Sequence, residues 1–213
     1  MGETVKEMNQ TDLEKLAIVQ KAGTESLSFE GKNLSYKLSD FWQWSVSDIV
    51  SNATRGRFAE FIVATALGID LTEIRDEWSA WDLEFLEPKT SNIIKIEIKS
   101  ASYVQSWSQK DYSKISFSIK ASRYWDSSTN KQHSEASRHA DVYVFCLLKH
   151  KDKKTIEPLN LDQWDFYVAS TKTLDNYTRS RHSITLKSLT GLTEPVNYDQ
   201  LKETIIEKYK IRL

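Results

Sequence analysis

Glu97 and Lys99 stand two residues apart in a run, residues 93–99, that alternates isoleucine with charged side chains. In a β-strand, alternate side chains point to opposite faces, so this run predicts one apolar face and one face carrying Lys95, Glu97 and Lys99. An acid and an amine at this spacing, joined by a second carboxylate, could hold a hard divalent cation such as Mg²⁺ through oxygen ligands. Taken alone, the pattern is more typical of an exposed strand, where Glu and Lys on the polar face are routine.

Asp82 supplies the second carboxylate. It begins a shorter alternating run, residues 82–87, which a turn at residues 88–92 separates from the first run. Strands joined by so short a turn are antiparallel neighbours, which brings the start of the first beside the end of the second. The sequence therefore predicts that Asp82 lies close to Glu97 and Lys99.

Glu60 adds a third carboxylate, from a helix predicted over Asn52–Leu67 and ended by Gly68. Helical spacing places Glu60 in a small, apolar stripe, which is unlike the surroundings of a solvated surface glutamate. Two interpretations stay open. Glu60 could join a metal site, or it could be a buried acid paired to a nearby Arg or Lys, with Lys99 itself a candidate, because buried charges need partners either way.

The remaining elements follow from the same periodicities. Val142–Leu148 is apolar throughout, as in a central strand covered on both faces. The other predicted strands cover residues 115–119, 164–169 and 183–187, and the other predicted helices cover residues 12–22, 41–50 and 198–209. This order predicts one α/β domain, in which helices flank a mixed sheet.

A family resemblance rests on these residues. Asp82, a spacer of fourteen residues and then Glu97-Ile98-Lys99 on an apolar strand resembles the Asp…(Asp/Glu)-x-Lys motif of the restriction-endonuclease-like PD-(D/E)xK nuclease superfamily. The stretches 55–68, 81–82, 97–107 and 141–148 also look like a group of uncharacterised bacterial proteins assigned to that superfamily. Two departures stand out: Trp81 replaces the name-giving proline, and no helix is evident between the third strand and Val142.

The resemblance implies a restriction-endonuclease-like core in the order αβββαβ over residues 52–148, with helices on both faces of the sheet. An N-terminal helical extension (residues 1–51) would precede this core. C-terminal strands and a helix (residues 149–213) would complete the sheet.

The resemblance also implies hydrolysis of phosphodiester bonds in DNA. Its catalytic residues would be Glu60, Asp82, Glu97 and Lys99. Mg²⁺, or Mn²⁺ in its place, would be held by Asp82, Glu97, the backbone carbonyl of Ile98 and Glu60. Lys99 would orient the attacking water and stabilise developing negative charge.

Substrate contacts are predicted from charge. Residues 95–154 hold 12 Lys and Arg against 6 Asp and Glu, although the whole chain has a net charge of −1. A basic region of this kind is what a phosphate-binding face needs. The charged candidates are Lys110, Lys114, Lys120, Arg123 and Arg138, although any single cation of this kind is more often a solvated surface residue. Gln105, in the polar and aromatic stretch that follows Lys99, is a further candidate that could touch a phosphate or a metal-bound water.

Several classes of protein are excluded by what the sequence lacks. The single cysteine, Cys146, rules out an intramolecular disulfide and a multi-cysteine zinc site. No apolar run reaches the roughly 20 residues of a membrane span, and residues 1–20 are unlike a signal peptide, so a cytoplasmic location without membrane contact is expected. Neither a phosphate-binding loop nor a Gly-x-Ser-x-Gly elbow occurs.

Two other functions stay open at this point. The fold could bind nucleic acid without cutting it. It could instead be a protein-interaction module, since seven tryptophans and an acidic N-terminal third suit partner binding. The sequence also leaves open whether two copies pair as a homodimer.

Overall fold

The computed structural model describes residues 16–75, 79–126, 131–132 and 134–210. The elements in chain order are β1 (Ser26–Phe29), β2 (Lys32–Lys37), α1 (Leu38–Val46), α2 (Asn52–Leu67), β3 (Leu83–Leu86), β4 (Ile93–Ser102), β5 (Ser116–Ser118), β6 (Trp125–Asp126), β7 (Lys131–Gln132), β8 (Val142–Leu148), β9 (Trp164–Ser170), α3 (Thr171–Asp175), β10 (Ser183–Thr185), α4 (Leu186–Leu189), β11 (Pro195–Val196) and α5 (Leu201–Lys210).

A five-stranded mixed sheet in the order β11-β9-β8-β4-β3 forms the centre of the fold. Strands β4 and β8 are parallel, and the other neighbouring pairs are antiparallel. Every residue of β8 is buried, as its apolar composition predicts for a central strand. The mixed α/β class with helices on both faces is confirmed.

One face of the sheet is covered by α2 and α5. Ile94, Ile96 and Ile98 point into this layer from β4 and pack with Ile62 of α2 and Ile205 of α5. The predicted end of α2 is confirmed, because Gly68 caps the helix in the left-handed conformation with φ 73°. The alternation along β4 therefore leaves Glu97 and Lys99 on the opposite face.

That opposite face is covered by the two-stranded sheet of β5 and β10 together with the short helices α3 and α4. Its core contains the aromatic side chains of Phe117, Tyr143, Phe145 and Tyr167 among aliphatic ones. The rings of Phe117 on β5 and Phe145 on β8 lie 5.2 Å apart. The predicted third strand, residues 115–119, therefore exists in shortened form but lies across the sheet as a second layer. It cannot join the main sheet beside β4, because β3 and β8 already occupy both edges of that strand.

The helix of an αβββαβ core that would precede β8 does not appear in the described part of residues 120–141. This region contains the short antiparallel pair of β6 and β7 instead. Nor is any helix in the described ranges long and apolar enough to cross a lipid bilayer.

The N-terminal region differs from the helical extension predicted for residues 1–51. Residues 26–37 form an antiparallel hairpin whose two-residue turn, Glu30-Gly31, has positive φ at both positions, and α1 follows. Residues 16–22 contain no helix, and the first part of the helix predicted at residues 12–22 lies outside the described residues. The division of the chain at residues 52 and 148 stays a prediction.

Candidate active site

Asp82 lies opposite Glu97 on the neighbouring antiparallel strand. Leu83 pairs with Ile96 in the β3–β4 register, and the Asp82 N–H extends this ladder by donating to the Ile96 carbonyl at 3.0 Å. The Asp82 carboxylate accepts a hydrogen bond from the Ile98 N–H at 2.7 Å. The predicted convergence of Asp82 with the Glu97-Ile98-Lys99 segment is thus present in the structure.

Glu97 and Lys99 form an ion pair on the face of β4 turned away from α2. The Glu97 side chain is 20% exposed and that of Lys99 is 30% exposed, so both remain accessible from solvent at one edge. Strand periodicity explains the pairing, because residues two apart share a face. The amine is therefore held beside the carboxylates, where it can contact an anionic substrate.

Glu60 reaches the site from α2 and is paired to Arg75, which lies in the loop after that helix. A second Arg75 nitrogen, Nη2, lies 3.3 Å from Glu60 Oε1 and 4.0 Å from Asp82 Oδ1. Glu60 therefore has a cationic partner in the structure, in agreement with its interpretation as a buried acid paired to an Arg or Lys. That partner is Arg75, whereas Lys99 pairs with Glu97.

Burial and the neighbouring charges change the pKa values of Glu60 and Glu97. Burial raises the pKa of Glu97, and the negative charge of Asp82 raises it further, against the opposing effect of Lys99. Burial likewise raises the pKa of Glu60, where the hydrogen bond from Arg75 opposes the shift and Asp82 adds to it. Both glutamates thus lie in surroundings that favour the neutral form more than water does.

Glu60, Asp82 and Glu97 offer carboxylate oxygens, the donors that a hard divalent cation prefers. Among the described residues, no group of three or more acidic, histidine or cysteine side chains is arranged so that it could hold a metal ion. Arg75 engages Glu60, and Lys99 engages Glu97. Burial raises the pKa of both glutamates although each has a cationic partner. The residue types therefore fit a cation, but the arrangement would do so only if the glutamates turned from their present partners.

A polar cleft of about 510 Å³ opens beside this cluster, with Glu97 and Lys99 in its wall. Lys120 and Arg123, two of the predicted substrate contacts, also line this cleft. A smaller adjoining cleft of about 270 Å³ is lined by Asp82, Glu97 and Arg123 among others. Acids, amine and cations thus meet around one connected depression.

A model of the bacteriophage T4 endonuclease IV family matches residues 8–187 of the chain. The chain belongs to the bacteriophage T4 endonuclease IV family. No curated protein and no solved structure matches the chain. All of the predicted site residues, from Glu60 to Arg138, lie within the matched range, whereas α5 lies beyond it. Family membership supports a nuclease and does not by itself assign the PD-(D/E)xK superfamily.

Two predicted substrate contacts of this T4 endonuclease IV family member lie inside the protein. Gln105 is buried; its amide nitrogen donates to the Ser102 carbonyl and to Ser113 Oγ, both at 3.1 Å, and its oxygen accepts from Arg55. Arg138 is paired to Asp175, with its side chain only 7% exposed. Both groups are engaged by internal partners, and their role in substrate binding stays a prediction.

Lys110 and Lys114 are exposed in the segment that follows β4, and neither lines the two clefts. Their role in substrate binding stays a prediction. Of the six predicted contacts, the structure therefore brings Lys120 and Arg123 to the acidic cluster.

Sequence reasoning missed three residues of the site in this family member. Arg75 stands in a loop with no periodic signal, and Tyr143 stands in an apolar run that indicates only burial. His139 lines the larger cleft, and its Nε2 lies 3.0 Å from the Ser122 carbonyl oxygen. Only Tyr143 carried a usable hint, since a phenol inside a run of aliphatic and aromatic residues must find a polar environment for its hydroxyl.

Proposed function

We propose that this member of the T4 endonuclease IV family is a Mg²⁺-dependent endonuclease that hydrolyses phosphodiester bonds in DNA, with a site of the PD-(D/E)xK type. The observation that carries the proposal is the placement of Asp82 across from Glu97, with Lys99 on the same face of β4. Family membership supports the reaction class. The connected clefts supply the room for a substrate beside these groups.

Asp82 and Glu97 would hold the cation, together with the backbone carbonyl of Ile98, and Glu60 would contribute a direct or water-mediated oxygen. A divalent cation at this position neutralises charge on the scissile phosphate and makes a water molecule more acidic. Asp82 is already oriented for this role, because the Ile98 N–H holds one of its oxygens. Glu97 would have to exchange its ion pair with Lys99 for the cation.

Release from Glu97 would leave the Lys99 ammonium beside the reacting phosphate. There it orients the attacking water and stabilises negative charge that develops on the phosphate oxygens. Lys99 can reach this position without the movement of any other element, because it lies two residues from Glu97 on the same face of β4.

Lys120 and Arg123 would bind the DNA backbone in the cleft that Glu97 also lines. Both side chains are exposed, which leaves their charges accessible to phosphate. Lys110 and Lys114 would extend this contact along the chain that follows β4. The proposal requires one chain only, so neither a homodimer nor a protein partner forms part of it.

A cleavage assay tests the proposal. Wild-type protein is incubated with plasmid and linear DNA in Mg²⁺, in Mn²⁺ and in a chelator, beside Asp82→Asn, Glu97→Gln and Lys99→Met. We expect metal-dependent cleavage by the wild type, and its loss in the chelator and in all three variants. Cleavage that persists in the chelator, or in all three variants, would contradict the proposal.

A second candidate is DNA binding without cleavage. The observation that favours it is the engagement of Glu60 with Arg75 and of Glu97 with Lys99, which leaves the acids neutralised without a metal. The same assay separates the two functions, because a binding protein would shift DNA in a gel and leave it intact under every metal condition.

A further inference from the structure

Tyr143 shares the cleft with the acidic cluster although no part of the proposed reaction uses it. The β4–β8 register pairs Tyr143 with Glu97, on adjacent parallel strands. Its side chain packs on the aromatic face of the sheet, which is also the face of Glu97 and Lys99. Tyr143 therefore lines the larger cleft together with Glu97, Lys99, Lys120 and Arg123.

The ring and the hydroxyl of Tyr143 have different surroundings. The residue is only 4% exposed, and its ring stacks on that of Phe145 with centroids 6.1 Å apart. The hydroxyl makes no hydrogen bond to any residue within the described ranges. Since no fully buried side-chain oxygen or nitrogen among those residues lacks a partner, the small accessible part of Tyr143 must include its hydroxyl, which meets the solvent of the cleft.

We infer that Tyr143 is a catalytic residue whose hydroxyl donates a hydrogen bond to a phosphate oxygen of the DNA bound in this cleft. The inference rests on the proposed function for the identity of the substrate. A buried ring fixes the position of the hydroxyl, so little side-chain freedom is lost when the bond forms. A neutral donor also adds no charge beside Glu97, whereas another lysine at this position would compete with the metal for that carboxylate.

The surrounding groups agree with this role. A phenol is protonated at neutral pH, so it is available as a donor rather than as a nucleophile. Lys120 and Arg123 face the same space and would hold the phosphodiester backbone there by charge. The opposing interpretation is that Tyr143 merely fills the aromatic core, in which case phenylalanine would serve equally well at this position.

Tyr143→Phe removes the hydroxyl and keeps the ring, and Tyr167→Phe is the matched control. Tyr167 lies on β9, packs in the same aromatic core and is also 4% exposed, but it does not line the cleft. The measurements are kcat/KM for DNA cleavage in Mg²⁺, DNA affinity in a chelator, and the thermal unfolding midpoint of each protein.

We expect Tyr143→Phe to lower kcat/KM, or the DNA affinity if the protein does not cut, by about tenfold or more, as for a hydrogen bond to a charged group. Tyr167→Phe should stay within about twofold of the wild type in the same measurements. If both variants keep wild-type cleavage and affinity, the inference falls while the proposed nuclease function stands. If the wild type binds DNA without cutting and Tyr143→Phe alone weakens binding, the nuclease proposal falls and the contact to phosphate stands. A wild type that neither cuts nor binds DNA overturns both.

Discussion

The carboxylate of Asp82 accepts a hydrogen bond from the backbone N–H of Ile98 at 2.7 Å. This single contact ties the start of β3 to the part of β4 between Glu97 and Lys99. It gives Asp82 two roles, because the same side chain completes the sheet edge and supplies an oxygen to the proposed metal site. The two roles can be separated by choice of substitution.

Asp82→Asn and Asp82→Ala should differ in stability but not in activity. The amide of Asn keeps an oxygen that can accept from the Ile98 N–H, whereas Ala leaves that N–H without its partner, at a cost of about 1 to 3 kcal/mol. Both changes remove the carboxylate that the cation needs, so cleavage should be lost in both. Denaturant unfolding in a chelator measures the first effect and a cleavage assay the second. Equal unfolding free energies for the two variants would show that the hydrogen bond contributes little.

Arg75→Gln should increase the affinity of the site for Mg²⁺. Arg75 pairs with Glu60 and lies 4.0 Å from Asp82. Its positive charge therefore competes with a metal for these two carboxylates. Calorimetric titration measures the affinity, and the same variant without metal should unfold more easily because Glu60 then stays charged without its partner. Arg57→Gln is the matched control, since Arg57 is exposed on α2, the helix that carries Glu60, and the net charge changes equally. A weaker metal affinity in Arg75→Gln alone would contradict this account.

The raised pKa values of Glu60 and Glu97 predict a pH dependence of stability in the absence of metal. The folded protein takes up these protons at a higher pH than the unfolded chain does. Their contribution to the free energy of unfolding therefore increases as the pH falls from neutral through the raised values, and it is complete below 4.5, the ordinary glutamate pKa. The double variant Glu60→Gln/Glu97→Gln should lose this increase in chelator-treated unfolding curves.

Protons and metal should compete for the same two glutamates. Mg²⁺ requires the charged carboxylates, so its affinity should fall over the pH range in which Glu60 and Glu97 take up protons. Titrations in buffers of different ionisation enthalpy would reveal the protons released on binding. A Mg²⁺ affinity that stays constant down to the ordinary glutamate pKa would show that these residues do not hold the metal.

Charge reversal at Lys120 and Arg123 should weaken DNA binding and reduce its dependence on salt. Each lost phosphate contact lowers the slope of log affinity against log salt by roughly one. The control is Lys32→Glu/Lys37→Glu, which makes the same charge change on the exposed N-terminal hairpin. An equal loss in both double variants would mean that only the net charge matters. A comparable loss from reversal at Lys110 and Lys114 would extend the DNA surface beyond the cleft.

Local periodicity was sufficient to predict the elements that carry the acids. Alternation in residues 93–99 separated the isoleucines from Glu97 and Lys99, and the short turn after residue 87 predicted the pairing with Asp82. Both features depend on contacts close in sequence, which the chain specifies directly. The hairpin at residues 26–37 could have been predicted in the same way, because Leu27 and Phe29 alternate with serines before a glycine-containing turn.

Partners that are distant in sequence could not be predicted. Glu60 required a cation on either interpretation, but the choice of Arg75 over Lys99 depends on how the loop after α2 folds back. Gln105 and Arg138 have the chemistry of substrate contacts, and only their packing shows that hydrogen bonds and an ion pair engage them internally. The approach of Tyr143 to Glu97 likewise follows from the parallel pairing of β4 with β8, which the sequence does not specify.

The most direct test is the crystal structure of the protein soaked with Mn²⁺, with the metal located by anomalous scattering. The account predicts a single strong peak between the carboxylates of Asp82 and Glu97 and near the Ile98 carbonyl, with Glu97 turned away from Lys99. An Asp82→Asn crystal treated identically should lack the peak. Absence of manganese from the wild-type site, with Glu97 still paired to Lys99 and Glu60 to Arg75, would contradict the central claim.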